Sequence, residues 1–462
     1  MNMGYSPYLK FLRGITMINF LMSLCKLSFG EFEKKEFLKF LRLGVILMTI
    51  LGTYWMMKPL KDSIFTQLVG ADAIPYAKTV SVVFIVVLVA AYTKILDFVP
   101  KSKLLATLPA LFYGTIMVLF SFFVQAFQNG IIAKGLLTTV LGYIWYCLVE
   151  SFGSIVVALF WAFSTDITKS ESAKKGFPLI VALGQIGGIS FPYLFINLPI
   201  SIGFGSDFLA LMIAACLTLL IYPLVKHFMK KTPADLVTSQ TLKKSSETKK
   251  EKTGFIEGLR LLISNKYLLG ILFVNFSFEF IATIFDFNFK NASAGMYSGN
   301  KLTQYYSLFA SVVNLVSFVL LVLGVNKITK YMGLKISLAC VPIFFGLSIL
   351  GFITINSLEF LFCLMVACKA VNYSLNGPSL KQLYIPTSSD AKSKSQAWIE
   401  TFGSRFSKES GSVVNMFKPL GESMYRILSC GLGSVFVVAW LFVALYLGKT
   451  HKKAIDTNTN VC

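Results

Sequence analysis

Histidine is nearly missing from this chain: two occur in 462 residues, His227 and His451, both near the ends of apolar runs. No Ser–His pair and no His-based metal site is therefore available inside an apolar run. The eight cysteines (25, 147, 216, 340, 363, 368, 430 and 462) are scattered, with neither disulfide-framework nor metal spacing. Charge is scarce as well, at 14% of residues, where a soluble domain carries about 25%. What fills the chain instead is apolar: 55% hydrophobic residues and a mean hydropathy of +0.69. This excludes a disordered chain and points to a membrane protein. Acidic residues are outnumbered 22 to 43, for a net charge of +21. Such an excess suggests nucleic acid or anionic lipid unless the lysines are placed for another reason.

A membrane-crossing helix needs about 20 predominantly apolar residues. Twelve segments qualify, at 37–66, 76–93, 104–126, 131–163, 176–198, 207–229, 267–289, 304–326, 333–354, 357–380, 397–417 and 427–448. The first and fourth run to about 30 residues, roughly 45 Å of helix, and must tilt, kink or project. Ahead of them, 11–29 is apolar but broken by Arg13 and Lys26, and reads as an interfacial helix, not a signal peptide. The expectation is an all-α membrane protein, major facilitator-like. It comprises a segment 1–36, a six-helix half 37–229, a linker 230–266, a six-helix half 267–448 and a tail 449–462.

The linker, KKTPADLVTSQTLKKSSETKKEKTG onward, is the long polar stretch that separates the halves. In such an architecture the substrate site lies near the midplane, between the halves. A faint repeat supports two halves: Ala173–Lys174–Lys175 before the fifth span has a counterpart in Ala391–Lys392–Ser393–Lys394 before the eleventh. Lysine placement gives orientation. Of the 43 Lys and Arg, 32 fall in or beside the termini, the linker and the loops after spans 2, 4, 8 and 10. Facing them, the loops around 127–130, 199–206 and 355–357 contain none. By the positive-inside rule both termini are cytoplasmic. Most of the +21 is then topogenic, and no nucleic-acid partner is expected.

Ionisable side chains inside spans are costly, about 2.5–3.5 kcal/mol each on insertion scales, and are functional candidates by default. Span 1 carries Lys58 and Lys61, three apart on one face, followed by Asp62. These lysines either snorkel to the outer interface or face a central cavity. Glu150 sits mid-span in YIWYCLVESFGSIVVALFW, and Glu279 is similarly placed in LFVNFSFEFIATIF, with Asp286 and Lys290 further along at one- to two-turn spacing. Each glutamate can anchor a neighbouring helix's lysine, contact substrate, or do both. Lys369 in span 10 is either a bundle-holding partner or a substrate contact. Glu400, Arg405, Lys408 and Glu409 in span 11 read as a wet, cavity-facing surface near the cytoplasmic end.

The stretch ALGQIGG in span 5 fits no phosphate-loop or dinucleotide fingerprint and reads as close helix packing. With no nucleophile, metal cluster or histidine in a span, an enzyme reading finds no support, and no cofactor is expected. Paired lysines with carboxylates around a cavity suit an anion, since lysine is a compact point charge for phosphate.

Several stretches resemble the ATP/ADP translocases of obligate intracellular bacteria and plastids. They are YWMMKPLKDSIFTQLVGADAIPYAK, YCLVESFGSIVVALFWAFSTDITKSESAKKGFPLIVALGQIGG and NYSLNGPSLKQLYIPTSSDAKSKSQAWIETFGSRFSKESGS, in the family's order across both halves. That resemblance implies charged functional residues in spans 1, 4, 7 and 10, the first three being Lys61, Glu150 and Glu279. Two departures stand out. The Trp-Lys pair usual after the span 7 glutamate is replaced by FIATIFDFNFK, leaving Lys290 as a stand-in, and Asn372 occupies the place of the span 10 lysine, with Lys369 or Lys381 nearby.

The expected substrate set is Lys58, Lys61, Glu150, Glu279, Lys290 and Lys369. The resemblance implies ATP/ADP exchange by alternating access in a bacterial inner membrane, by a monomer whose partners are ATP, ADP and the lipid bilayer. Two alternatives are proton-coupled import of nucleotides or another phosphorylated anion, and a non-transporting membrane scaffold.

Overall fold

Within a bilayer an apolar run has to satisfy its backbone internally, so these runs become helices. The computed structural model describes residues 32–168, 170–233, 260, 262–323, 325–355, 357–387, 395–396, 398–399, 403–457, 459 and 461. Its main helices are α1 (Lys34–Leu68), α2 (Ile74–Phe98), α3 (Lys101–Gln128), α4 (Leu136–Asp166), α5 (Lys175–Ser201), α6 (Asp207–Lys231), α7 (Lys266–Met296), α8 (Gly299–Leu323), α9 (Gly333–Thr354), α10 (Leu358–Leu383), α11 (Ser404–Asn415) and α12 (Glu422–Asp456). Eleven described helices are long and apolar enough to cross a membrane. The expected span 397–417 is described as a continuous helix over Ser404–Asn415, and Glu400 lies outside the described residues. So do the expected interfacial helix at 11–29 and most of the 230–266 linker.

Helix ends depart from the apolar runs where polar residues find partners. Helix α4 starts at Leu136, not 131, because Gly130 adopts a φ of 75° and Thr138 Oγ1 accepts the Gly135 N–H. Helix α8 starts five residues before its apolar run, since Asn300 and Thr303 bond across to α6.

Two apolar cores form. One is built from α1, α3, α4, α5 and α6, including Phe40, Leu47, Trp145, Phe160 and Phe228. The other is built from α7–α10 and α12, including Phe278, Phe345 and Trp440, and draws in Phe65, Ile74, Ala77 and Tyr146 from the first group. Helices α1 and α5 pack closely through ALGQIGG. A Cβ at Gly187 would lie 2.3 Å from the Met48 carbonyl oxygen, so only glycine permits this approach.

Regularity breaks where the two groups meet. Pro59 lies inside α1 and removes the helical donor that would reach the Trp55 carbonyl. In α10 a π-turn spans Asn372–Asn376, a device often found at functional sites.

On the side opposite the chain ends, called the far side below, the groups are joined around Asp207. Its carboxylate is fully buried. It accepts from Thr303 Oγ1 at 2.5 Å, Gln67 Nε2 at 2.8 Å and Gln128 Nε2 at 2.7 Å, while its own N–H donates to Asn300 Oδ1 at 3.0 Å. The Thr303 hydroxyl also lies 2.6 Å from Ser63 Oγ. Asn291 Nδ2 donates to Asp72 at 2.8 Å, further out on the same side.

Candidate functional site

Between the two groups of helices lies a cavity of about 480 Å³, within the range of roughly 300–1,000 Å³ usual for small-molecule sites. All six expected site residues line it: Lys58, Lys61, Glu150, Glu279, Lys290 and Lys369. Lys58 and Lys61 face this cavity instead of snorkelling to the interface. Seven basic side chains face five acidic ones here, an excess of two positive charges in a protein interior.

These charges form a chain that crosses from one core to the other. Lys61 Nζ lies 2.5 Å from Glu150 Oε1 of α4 and 3.5 Å from Asp62. Asp62 Oδ2 lies 2.8 Å from Lys290 of α7, and Lys290 lies 2.8 Å from Asp286, one turn back on its own helix. Asp286 is the hub of the far end, with Lys369 of α10 and Lys78 of α2 each at 3.4 Å. The Lys61 ammonium also sits 4.0 Å from the centre of the Tyr146 ring. Removing two charges from water costs several kcal/mol per ion, and only close pairing offsets it. Lys61, Asp62 and Lys290 are each under 9% exposed, so every link of the chain depends on its neighbours.

A second group sits on α7 and α11. Glu279 Oε1 accepts from Ser404 Oγ at 3.0 Å and lies 3.5 Å from Lys408 Nζ. Arg405 donates to Ser154 Oγ of α4 at 3.3 Å, and Thr79 of α2 donates to Glu409. Arg405, Lys408 and Glu409 of α11 thus line the central cavity itself.

Sequence reasoning missed Lys78. It lies one turn into α2, after IPYA, where a lysine reads as an interfacial anchor; its role in the chain depends on Asp286, 208 residues away. The place of the expected span 10 lysine is taken by Asn372, which lines the cavity at the start of the π-turn and accepts from Asn376 Nδ2 at 2.9 Å. Lys369, one turn earlier, brings the ammonium to Asp286, whereas Lys381 is exposed and does not line the cavity. Among the described residues no group of three or more His, Cys, Asp or Glu is placed to hold a metal.

The lysine–carboxylate chain thus runs across the interface between the two helix groups. Comparison with known proteins gives the family: the model for the TLC ATP/ADP transporter matches residues 22–451. The chain belongs to this family. Among its curated relatives, ADP,ATP carrier protein 1 of Rickettsia typhi is 21% identical over 494 residues, covering 96% of this chain and 99% of the relative. The chloroplastic ADP,ATP carrier protein 1 of Arabidopsis thaliana is 24% identical over 460 residues, covering 88% and 73%. Solved structures with the same fold include a bacterial homologue of the lysosomal transporter Spinster, with a TM-score of 0.60 and 13% identity, covering 91% of this chain and 98% of that one. The nucleoside transporter NupG matches with a TM-score of 0.59 and 15% identity, covering 88% and 98%. These likenesses establish an all-α, multi-pass membrane protein of major facilitator-like architecture.

Proposed function

We infer that the protein exchanges ATP for ADP across a membrane by alternating access of the central cavity. The observation that carries this reading is the ion chain Glu150–Lys61–Asp62–Lys290–Asp286–Lys369. It presents three lysines to an anion and holds the two helix groups together through pairs that an anion competes for. Membership of the ATP/ADP transporter family, and the names of the Rickettsia and plastid carriers, support nucleotides as that anion.

In this reading Lys58, Lys61, Lys290 and Lys369 hold the phosphates. Glu150 and Glu279 balance charge in the empty cavity and release their lysines on loading. Asp62, Glu150, Glu279 and Asp286 each lie within 4 Å of a lysine, which supports exchange of like-charged substrates over a carboxylate that takes up a proton in each cycle. In this reading the Asp207 network holds the far side closed. The halves are 37–229 and 267–448, joined by the 230–266 linker. The protein acts as a monomer, not an enzyme, in a bacterial inner membrane with both termini cytoplasmic, as the distribution of lysines suggests.

The test is counterflow. Intact cells expressing the protein should take up labelled ATP faster than control cells, and external ADP should accelerate release of the label. Uptake no faster than in control cells for every nucleotide tried sinks the reading, and collapse of uptake by a protonophore selects proton-coupled import instead.

A further inference from the structure

Of the six lysines lining the cavity, five lie within 4 Å of a carboxylate: Lys61, Lys78, Lys290, Lys369 and Lys408. Among the described residues Lys58 is the exception. Its Nζ stands 3.9 Å from the centre of the Trp55 ring and 4.6 Å from that of Tyr54. Both rings line the same cavity.

Neither ring is loosely placed. A Cβ at Gly153 of α4 would fall 2.3–2.7 Å from Tyr54 ring and hydroxyl atoms, and one at Gly188 of α5 would lie 2.9 Å from Trp55 Cδ1. Each aromatic is therefore seated against a glycine of a neighbouring helix, where any larger residue would push it aside. Trp55 also sits six residues before Lys61 on α1, about 9 Å along the axis at 1.5 Å per residue. This separates an aromatic face from a phosphate-binding ammonium by roughly the reach of a nucleotide.

A lone ammonium over an indole is held by the ring quadrupole, an attraction much weaker than a charge-assisted bond to a multiply charged phosphate. A phosphate entering the cavity therefore draws Lys58 off the ring and bares the indole face to whatever follows the phosphates.

We propose that Trp55, backed by Tyr54, is the stacking platform for the base of the nucleotide, and that Lys58 covers it until phosphate arrives. This deepens the transport reading and rests on it: the lysine chain recognises phosphate, and the aromatic pair makes the substrate a nucleoside phosphate instead of a bare polyphosphate. Every base has a π-face, so the platform selects for the presence of a base more than for which base it is.

The experiment is a binding competition on the full-length protein in lipid nanodiscs, using ATP and inorganic tripolyphosphate as probes. Trp55→Ala should weaken ATP about tenfold, the scale of losing one base–aromatic stack, and leave tripolyphosphate affinity unchanged. Trp55→Phe should restore most of the ATP affinity, and Lys58→Gln should weaken both probes together. Trp55→Leu, which fills the space without a π-face, must behave like Trp55→Ala and serves if the alanine variant does not fold. The platform is overturned if Trp55→Ala or Trp55→Leu weakens both probes equally, or leaves ATP untouched while the wild type binds it. A wild-type protein that binds tripolyphosphate but no nucleotide overturns the transport reading along with it.

Discussion

Two of the joints between the groups of helices use opposite chemistry. On the far side the joint is a single buried carboxylate, Asp207, surrounded by neutral donors: Thr303, Gln67 and Gln128. In the cavity the joint is ionic, through Asp62 with Lys290 and Asp286 with Lys78. Hydrogen bonds from neutral donors depend on geometry, and they include no cation that could leave its carboxylate for an incoming anion. Ion pairs are the reverse, since each lysine can leave its carboxylate for phosphate. In the proposed transport cycle the cavity joint responds to substrate, and the far-side joint responds to movement of the helices that carry it. This is the division expected of a gate and a site in one transporter.

The sharpest way to break the comparison is Lys61→Ala. It strands Glu150 and leaves Asp62 with Lys290 alone; losing one partner of a buried pair costs about 3–5 kcal/mol, an upper bound here because the Glu150 side chain is 34% accessible. ATP counterflow should fall to background while the protein still reaches the membrane, and counterflow above a tenth of wild type would show that this lysine is not central.

Lys290→Gln acts next most strongly. It leaves Asp62 and Asp286 facing one another across the interface without their shared cation. Counterflow should drop by about tenfold, the scale of one charge-assisted hydrogen bond, and a nucleotide titration should show the loss as weaker binding.

Asp207→Ala tests the other joint. Three donors lose their acceptor, at about 1–3 kcal/mol for buried groups left unsatisfied. Nucleotide affinity should be unchanged, but the far side should open. Spin labels on exposed Ile202 and Met296, in a cysteine-free background, should report a longer or broader distance. An unchanged distance with weakened nucleotide binding would reverse the roles assigned to the two joints.

Lys101→Ala sets the baseline. Its bond to Asp166 is exposed, at 2.6 Å but with side chains 35% and 53% accessible, and such pairs contribute about 0–1 kcal/mol. Thermal unfolding and counterflow should both match wild type.

The difference between the joints also explains what could be read from the sequence. Lys61, Glu150, Glu279 and Lys290 stand out because a charge inside an apolar run is conspicuous, and all four line the cavity. The spans are legible for the same reason: apolar runs of membrane length admit only helices. Asp207 is not conspicuous. It follows Ser206 at a helix start, where an acidic residue is ordinary, and Ser206 does cap α6 by accepting from Leu209. Its burial depends on Gln67, Gln128 and Thr303, which only the fold brings together. Lys78 is hidden in the same manner, at the edge of its run. The charges of α11 are visible as residues, but their partners Ser154, Glu279 and Thr79 lie on α4, α7 and α2, which only the fold brings together.

Pro59 divides the labour of α1. On one side of it lie Tyr54, Trp55 and Lys58, which face the aromatic part of the cavity; on the other lie Lys61, which pairs with Glu150 of α4, and Asp62 and Ser63, which reach across to α7 and α8. The missing donor makes this the point where the helix bends most cheaply. A single helix can therefore serve as two levers with one pivot, so that a tug on its ionic end by phosphate and a load on its aromatic end need not move together, and the order in which a substrate's two ends are grasped becomes a property of one residue's lack of an N–H.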